Sequence, residues 1–207
     1  MAEWTEIFIA AFVSFFVIVD PVGLTPIYLA LTQGMSKERR RGITYRAIAV
    51  GLGLMLLFGV AGETVLSTIG IGMPAFRISG GLLLFMTAIE MLFEKRTQRR
   101  EDQAEADDRP DPAVFPLALP LLAGPGALTT MILLTGQQEG NLSGLAAVYA
   151  ALIAVFSICF LLFSSGNFLE RILRQTGINL ISRLLGMLLA ALAVQFVVDG
   201  MKGLGIL

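Results

Sequence analysis

The chain has 207 residues, 56% of them hydrophobic and 15% charged, with a mean hydropathy of +0.78. That is too apolar for a soluble domain and reads as a polytopic membrane protein. A net charge of −1 gives no reason to expect a nucleic-acid partner, and the absence of histidine removes the commonest general base, zinc ligand and near-neutral proton relay.

A hydrocarbon core about 30 Å thick takes roughly 20 helical residues to cross. The apolar runs are continuous rather than polar at every second position, which excludes a β-barrel. They predict an all-α fold of six transmembrane helices at about 5–33, 43–69, 74–93, 113–137, 143–167 and 179–201.

The first run opens "MAEWTE", with Glu3 and Glu6 where a secretory leader carries basic residues, so it is read as a retained span with Trp4 at an interface. Within it, "DPVGLTP" at 20–26 brings Asp20, Pro21, Gly23 and Pro26 into a stretch expected to lie in lipid. Proline lacks a backbone donor and clashes with the preceding turn, so a break at that depth is costly unless it is used.

The connection after span one holds Lys37, Arg39, Arg40, Arg41 and Arg46. The next basic cluster lies in "EKRTQRREDQAEADDRPDP" at 94–112, read as a flexible cytoplasmic linker or a regulatory contact. Arg171 and Arg174 lie between spans five and six, and thirteen of the fifteen basic residues fall on one side of the predicted membrane. The positive-inside rule makes that side cytoplasmic and puts both termini outside.

Span three carries Arg77, whose side chain either snorkels to the interface or pairs with a carboxylate or a helix end. Arg183 in span six has the same two readings. Span four carries Pro116, Pro120 and a second break in "AGPGALTTMILLTG" at 123–136. Cys159, the sole cysteine, sits in the fifth run as a packing residue.

The two breaks align without gaps at a separation of 104 positions, Pro21 on Pro125, Leu24 on Leu128 and Thr25 on Thr129. "RISGGLLL" at 77–84 echoes "RLLGMLLA" at 183–190. This predicts a duplication, with repeat one at about 1–94, the linker at about 95–112 and repeat two at about 113–207. Three spans per copy make it a 3+3 inverted repeat, with helices 1 and 4 broken near the midplane. Each new half-helix offers free N–H groups and a positive dipole end to an anion such as an amino-acid carboxylate. Candidate binding residues are Asp20, Gly23, Leu24, Thr25, Gly124, Gly126, Thr129 and Thr130, with Pro21, Pro26, Pro120 and Pro125 as break or gating positions. Asp20 is either a partner for a substrate ammonium or coupling proton, or the N-cap of the half-helix that follows.

"DPVGLTPIYLALT", "AFRISGGLLLFMTAIEML" and "VFPLALPLLAGPGALTTMILL", in that order, resemble the MarC family of bacterial and archaeal integral membrane proteins, over nearly the whole chain. The resemblance implies six transmembrane helices in a LysE-like superfamily arrangement and, for the SnatA-type members, transport of small neutral amino acids such as glycine and alanine.

The expected function is a gradient-driven secondary transporter of small zwitterions, in the inner membrane, coupled to protons or sodium and without a cofactor. No nucleotide-binding motif is present, and the missing histidines and lack of H-E-x-x-H argue against an intramembrane enzyme. A passive channel or exporter and a non-transporting scaffold are the rival readings.

Overall fold

The computed structural model describes residues 2–93 and 112–206, with the side chains of residues 2 and 166–176 outside the description. The charged linker expected at 94–112 lies almost wholly outside the described residues.

The architecture is helical: α1 (Ala2–Val19), α2 (Pro21–Leu31), α3 (Lys37–Thr68), α4 (Met73–Leu92), the π-helical α5 (Ala113–Leu122), α6 (Pro125–Gly136) and α7 (Leu142–Gly203). Five stretches are long and apolar enough to cross a membrane, and the bent pair α5–α6 makes up to a sixth.

On α1, Trp4, Phe8, Phe12 and Phe16 recur every fourth residue and therefore lie on one face. Their rings stack in a ladder with centroids 5.2, 6.0 and 5.8 Å apart. α1 and α2 are separated by Asp20 alone and still make one apolar stretch, Glu3–Leu31. The Ser36 hydroxyl accepts from Arg39 N at 3.3 Å and starts α3, which then runs 32 residues.

The senses of the helices follow from their contacts. A Cβ built at Gly51 would meet Leu122 and Phe156, one at Gly59 would meet Met131 and Tyr149, and one at Gly62 would meet Ile132. So α6 runs with α3, and the first part of α7 runs against it. Likewise α4 runs against α6, since Gly126 faces Leu84 and Gly136 faces Met73. The last part of α7 runs against α4: a Cβ at Gly81 would lie 2.7 Å from the Ala193 carbonyl, and one at Gly200 would lie 2.7 Å from the Pro74 carbonyl. Only glycine permits backbones this close, and in lipid such packing replaces the hydrophobic effect as the source of association.

The two spans that the sequence predicts at 143–167 and 179–201 are both present, within the residues assigned to α7. No proline occurs between residues 142 and 203, so no backbone donor is missing. α7 nonetheless contains two crossing segments, Leu142–Ser165 and Gly177–Gly203, and their neighbours place them antiparallel.

Candidate functional site

The first interruption is one residue wide. Asp20 has φ 57° and ψ 65°, the left-handed region that aspartate tolerates better than most side chains. Its backbone stays in the ladder on both sides, Asp20 N donating to Phe16 O and Leu24 N to Asp20 O, each at 3.0 Å. The carboxylate, 3% exposed, accepts the Gly23 N–H at 3.0 Å and caps α2. A Cβ at Gly23 would run into that carboxylate, which is why glycine occupies the position. The N-cap reading of Asp20 is therefore realised in the structure.

The second interruption is an extended irregularity. Pro116 and Pro120 remove two donors from α5, and Phe115 and Leu119 before them adopt extended φ/ψ, as the residue before a proline favours. Both X–Pro bonds are cis. The remaining bonds reach five residues back, Leu117 N to Pro112 O at 3.2 Å and Ala123 N to Ala118 O at 2.9 Å. The sequence predicts bends at these prolines, and the extended residues before them interrupt the helical backbone at both places. α6 then leaves at 54° to α5.

The start of α6 has no side-chain cap, because the N-cap residue is Gly124, and a Cβ there would run into the Pro120 carbonyl oxygen. Pro125 has no N–H to satisfy and suits the first helical position. The first bond across the helix mouth runs from Leu128 N to Gly124 O at 3.0 Å.

The two breaks adjoin: a Cβ at Gly126 would lie 3.0 Å from Ile18 Cδ1, two residues before Asp20. From this common level α2 runs to the end of the molecule where α3 begins, since Tyr28 bonds Thr44, whereas α6 runs to the opposite end, where Gly136 faces Met73. With a rise of about 1.5 Å per residue, each half-helix reaches roughly 16–18 Å from the shared level.

The other predicted residues divide. Thr25 donates to Pro21 O at 2.8 Å and Thr130 to Gly126 O at 2.9 Å, so both hydroxyl protons are used within their own helices and only lone pairs remain. Thr129 is buried with its methyl against Gly80, and Leu24 is fully buried, so each offers the site backbone rather than side chain. Pro21 is buried, Pro26 lies inside α2 and is half-buried, and Pro125 is exposed.

Arg77 departs from the paired reading: it forms no ion pair among the described residues, and its buried Nε has no hydrogen-bond partner. Arg183, at the other end of the α4–α7 pair, is exposed.

A cavity of about 720 Å³ near the start of α3, lined by Tyr28, Lys37, Arg40 and Arg41 among others, is absent from the sequence reading. Those cations serve there only to orient the chain. Tyr28 and Thr44 carry no local pattern, because tertiary packing alone brings them together.

The MarC family integral membrane protein model matches residues 5–205. A UPF0056 membrane protein of Aquifex aeolicus (strain VF5) is 37% identical over 207 residues, covering 99% of this chain and 96% of the relative. The UPF0056 membrane protein YhcE of Escherichia coli (strain K12) is also 37% identical, over 93% of this chain and 91% of its own length. The UPF0056 inner membrane protein YhgN of the same strain is 34% identical over 94% and 95%. No solved structure matches the chain. With a family model spanning nearly every residue and relatives aligned end to end, the chain belongs to the MarC family of integral membrane proteins.

Proposed function

We propose that this chain is a secondary transporter of small neutral amino acids, working by alternating access around the two breaks. The carrying observation is the pairing at one level of a buried carboxylate, Asp20, with an uncapped helix mouth at Gly124–Gly126 that adjoins its helix through Ile18. A zwitterion has one group for each. Its carboxylate suits the free N–H groups and dipole of α6, and its ammonium suits Asp20. The threonine lone pairs at positions 25 and 130 add acceptors for the ammonium.

Two half-helices that start together and run to opposite ends support a 3+3 inverted repeat, in which one half rocks against the other. The Asp20 carboxylate makes a proton the favoured coupling ion over sodium. Residence in the inner membrane, with both termini outside, completes the reading. It draws on the printed name of YhgN and on the basic residues near the start of α3.

The test is counterflow of labelled glycine, alanine and serine in proteoliposomes, with alanine amide and N-acetylalanine as competitors. Alanine is expected to exchange and to be displaced only by intact zwitterions. Flux without counterflow would indicate a passive exporter, and no flux of any amino acid would leave a non-transporting scaffold.

A further inference from the structure

We propose that the cavity at the start of α3 is a binding site for one anionic phospholipid, held by its phosphate. The cavity, about 720 Å³, lies between α2, the first two turns of α3 and the end of the first crossing segment of α7. Among the described residues, three cations line it, Lys37, Arg40 and Arg41, and no carboxylate does. This separates it from the site at the breaks, where the described residues include the Asp20 carboxylate.

Its chemistry is graded along the membrane normal. Going down α3, the cations come first and Thr44 and Tyr45 follow a turn later. Going the same way along the antiparallel α7, Ser165 and Ser164 come before Phe163 and Phe160. Charge, then hydroxyl, then aromatic surface is the order in which a phospholipid presents phosphate, glycerol esters and acyl chains. Tyr45 is 49% exposed and its ring is tilted against Phe160 at 5.1 Å, an aromatic edge that acyl chains would cover.

The wall is built rather than incidental. Tyr28 is 1% exposed, stacks on Phe163 at 4.5 Å with the planes 3° apart, and its hydroxyl bonds Thr44 Oγ1 at 2.7 Å and Arg40 O at 3.2 Å. The Arg40 and Arg41 guanidinium carbons lie 5.8 and 5.5 Å from the ring centroids of Tyr28 and Tyr45, which holds both near the mouth. A basic pocket between membrane helices, set at headgroup depth, recognises an anionic lipid by charge and by position together.

The test is titration of the full-length protein in detergent with phosphatidylglycerol, and separately with phosphatidylcholine, read by native mass spectrometry. Each basic residue near a headgroup contributes about fivefold, so Lys37→Gln/Arg40→Gln/Arg41→Gln is expected to weaken phosphatidylglycerol binding on the order of a hundredfold. Arg39→Gln/Arg46→Gln/Lys202→Gln, which removes the same charge outside the cavity, should change it less than about threefold. Should the first triple fail to fold, the exposed single change Arg41→Gln is expected to cost about fivefold. Equal losses in both triples, equal binding of phosphatidylcholine, or displacement by millimolar inorganic phosphate would each overturn the proposal. The last would mark a site for a soluble anion. None of these outcomes depends on whether the protein transports amino acids.

Discussion

The two interruptions satisfy their backbones in opposite ways. At Asp20 a single left-handed residue breaks the helix, its own carboxylate closes the new N-terminus through Gly23, and both flanking ladders keep their bonds. At Pro116–Pro125 the break is spread over two proline kinks, a 54° bend and an N-terminus that, among the described residues, no side chain closes. In lipid, an unmet N–H costs several kcal/mol, so leaving one mouth open beside another that is sealed is a difference with a use. In the proposed site the first break supplies a carboxylate and the second supplies backbone donors.

That contrast can be broken or sharpened by substitution. The largest effect is expected from Gly124→Ala: its Cβ would meet the Pro120 carbonyl, a backbone atom that cannot step aside, and the change should cost about 3 kcal/mol and abolish counterflow. Thermal unfolding in detergent checks the first part and proteoliposome assays the second. Gly23→Ala is expected to cost about 1–2 kcal/mol, because the atom in its way is a carboxylate that can swing off at the expense of the cap. Less again is expected for Asp20→Gly. Glycine takes the left-handed conformation freely and is a tolerable N-cap, so stability should fall by under about 1 kcal/mol while counterflow is lost. The smallest pair, Thr25→Val and Thr130→Val, removes one intrahelical bond each and should shift stability by about 0.5 kcal/mol or less, with the apparent KM for alanine raised in both. An unchanged KM in both would remove the hydroxyls from the site.

Much of the fold was legible because membrane helices announce themselves by length and apolarity, and five candidate crossings plus a bent pair fall on the runs read from the sequence. The break positions were legible too, since a proline or an aspartate inside such a run is costly and is tolerated chiefly where the helix is interrupted. The unlike character of the breaks was not. Pro116 and Pro120 read as local bends, and kinks stand directly before both; the bonds that reach five residues back between them are encoded by no single residue. Spans five and six were legible in the same way as the others, as two apolar runs either side of Arg171 and Arg174 that fall on Leu142–Ser165 and Gly177–Gly203. The choice between snorkelling and pairing for Arg77 was not legible: placing a charge one turn inside a span says where it lies along the helix, not what faces it.

The most direct test of the zwitterion site is alanine counterflow in Asp20→Asn beside wild type, with thermal unfolding measured on the same preparations. Asparagine keeps the left-handed tolerance and the capping oxygen and removes only the charge. A protein of unchanged stability that no longer exchanges alanine is the expected result. Undiminished exchange in the variant would contradict it, leaving Asp20 as a cap and nothing more.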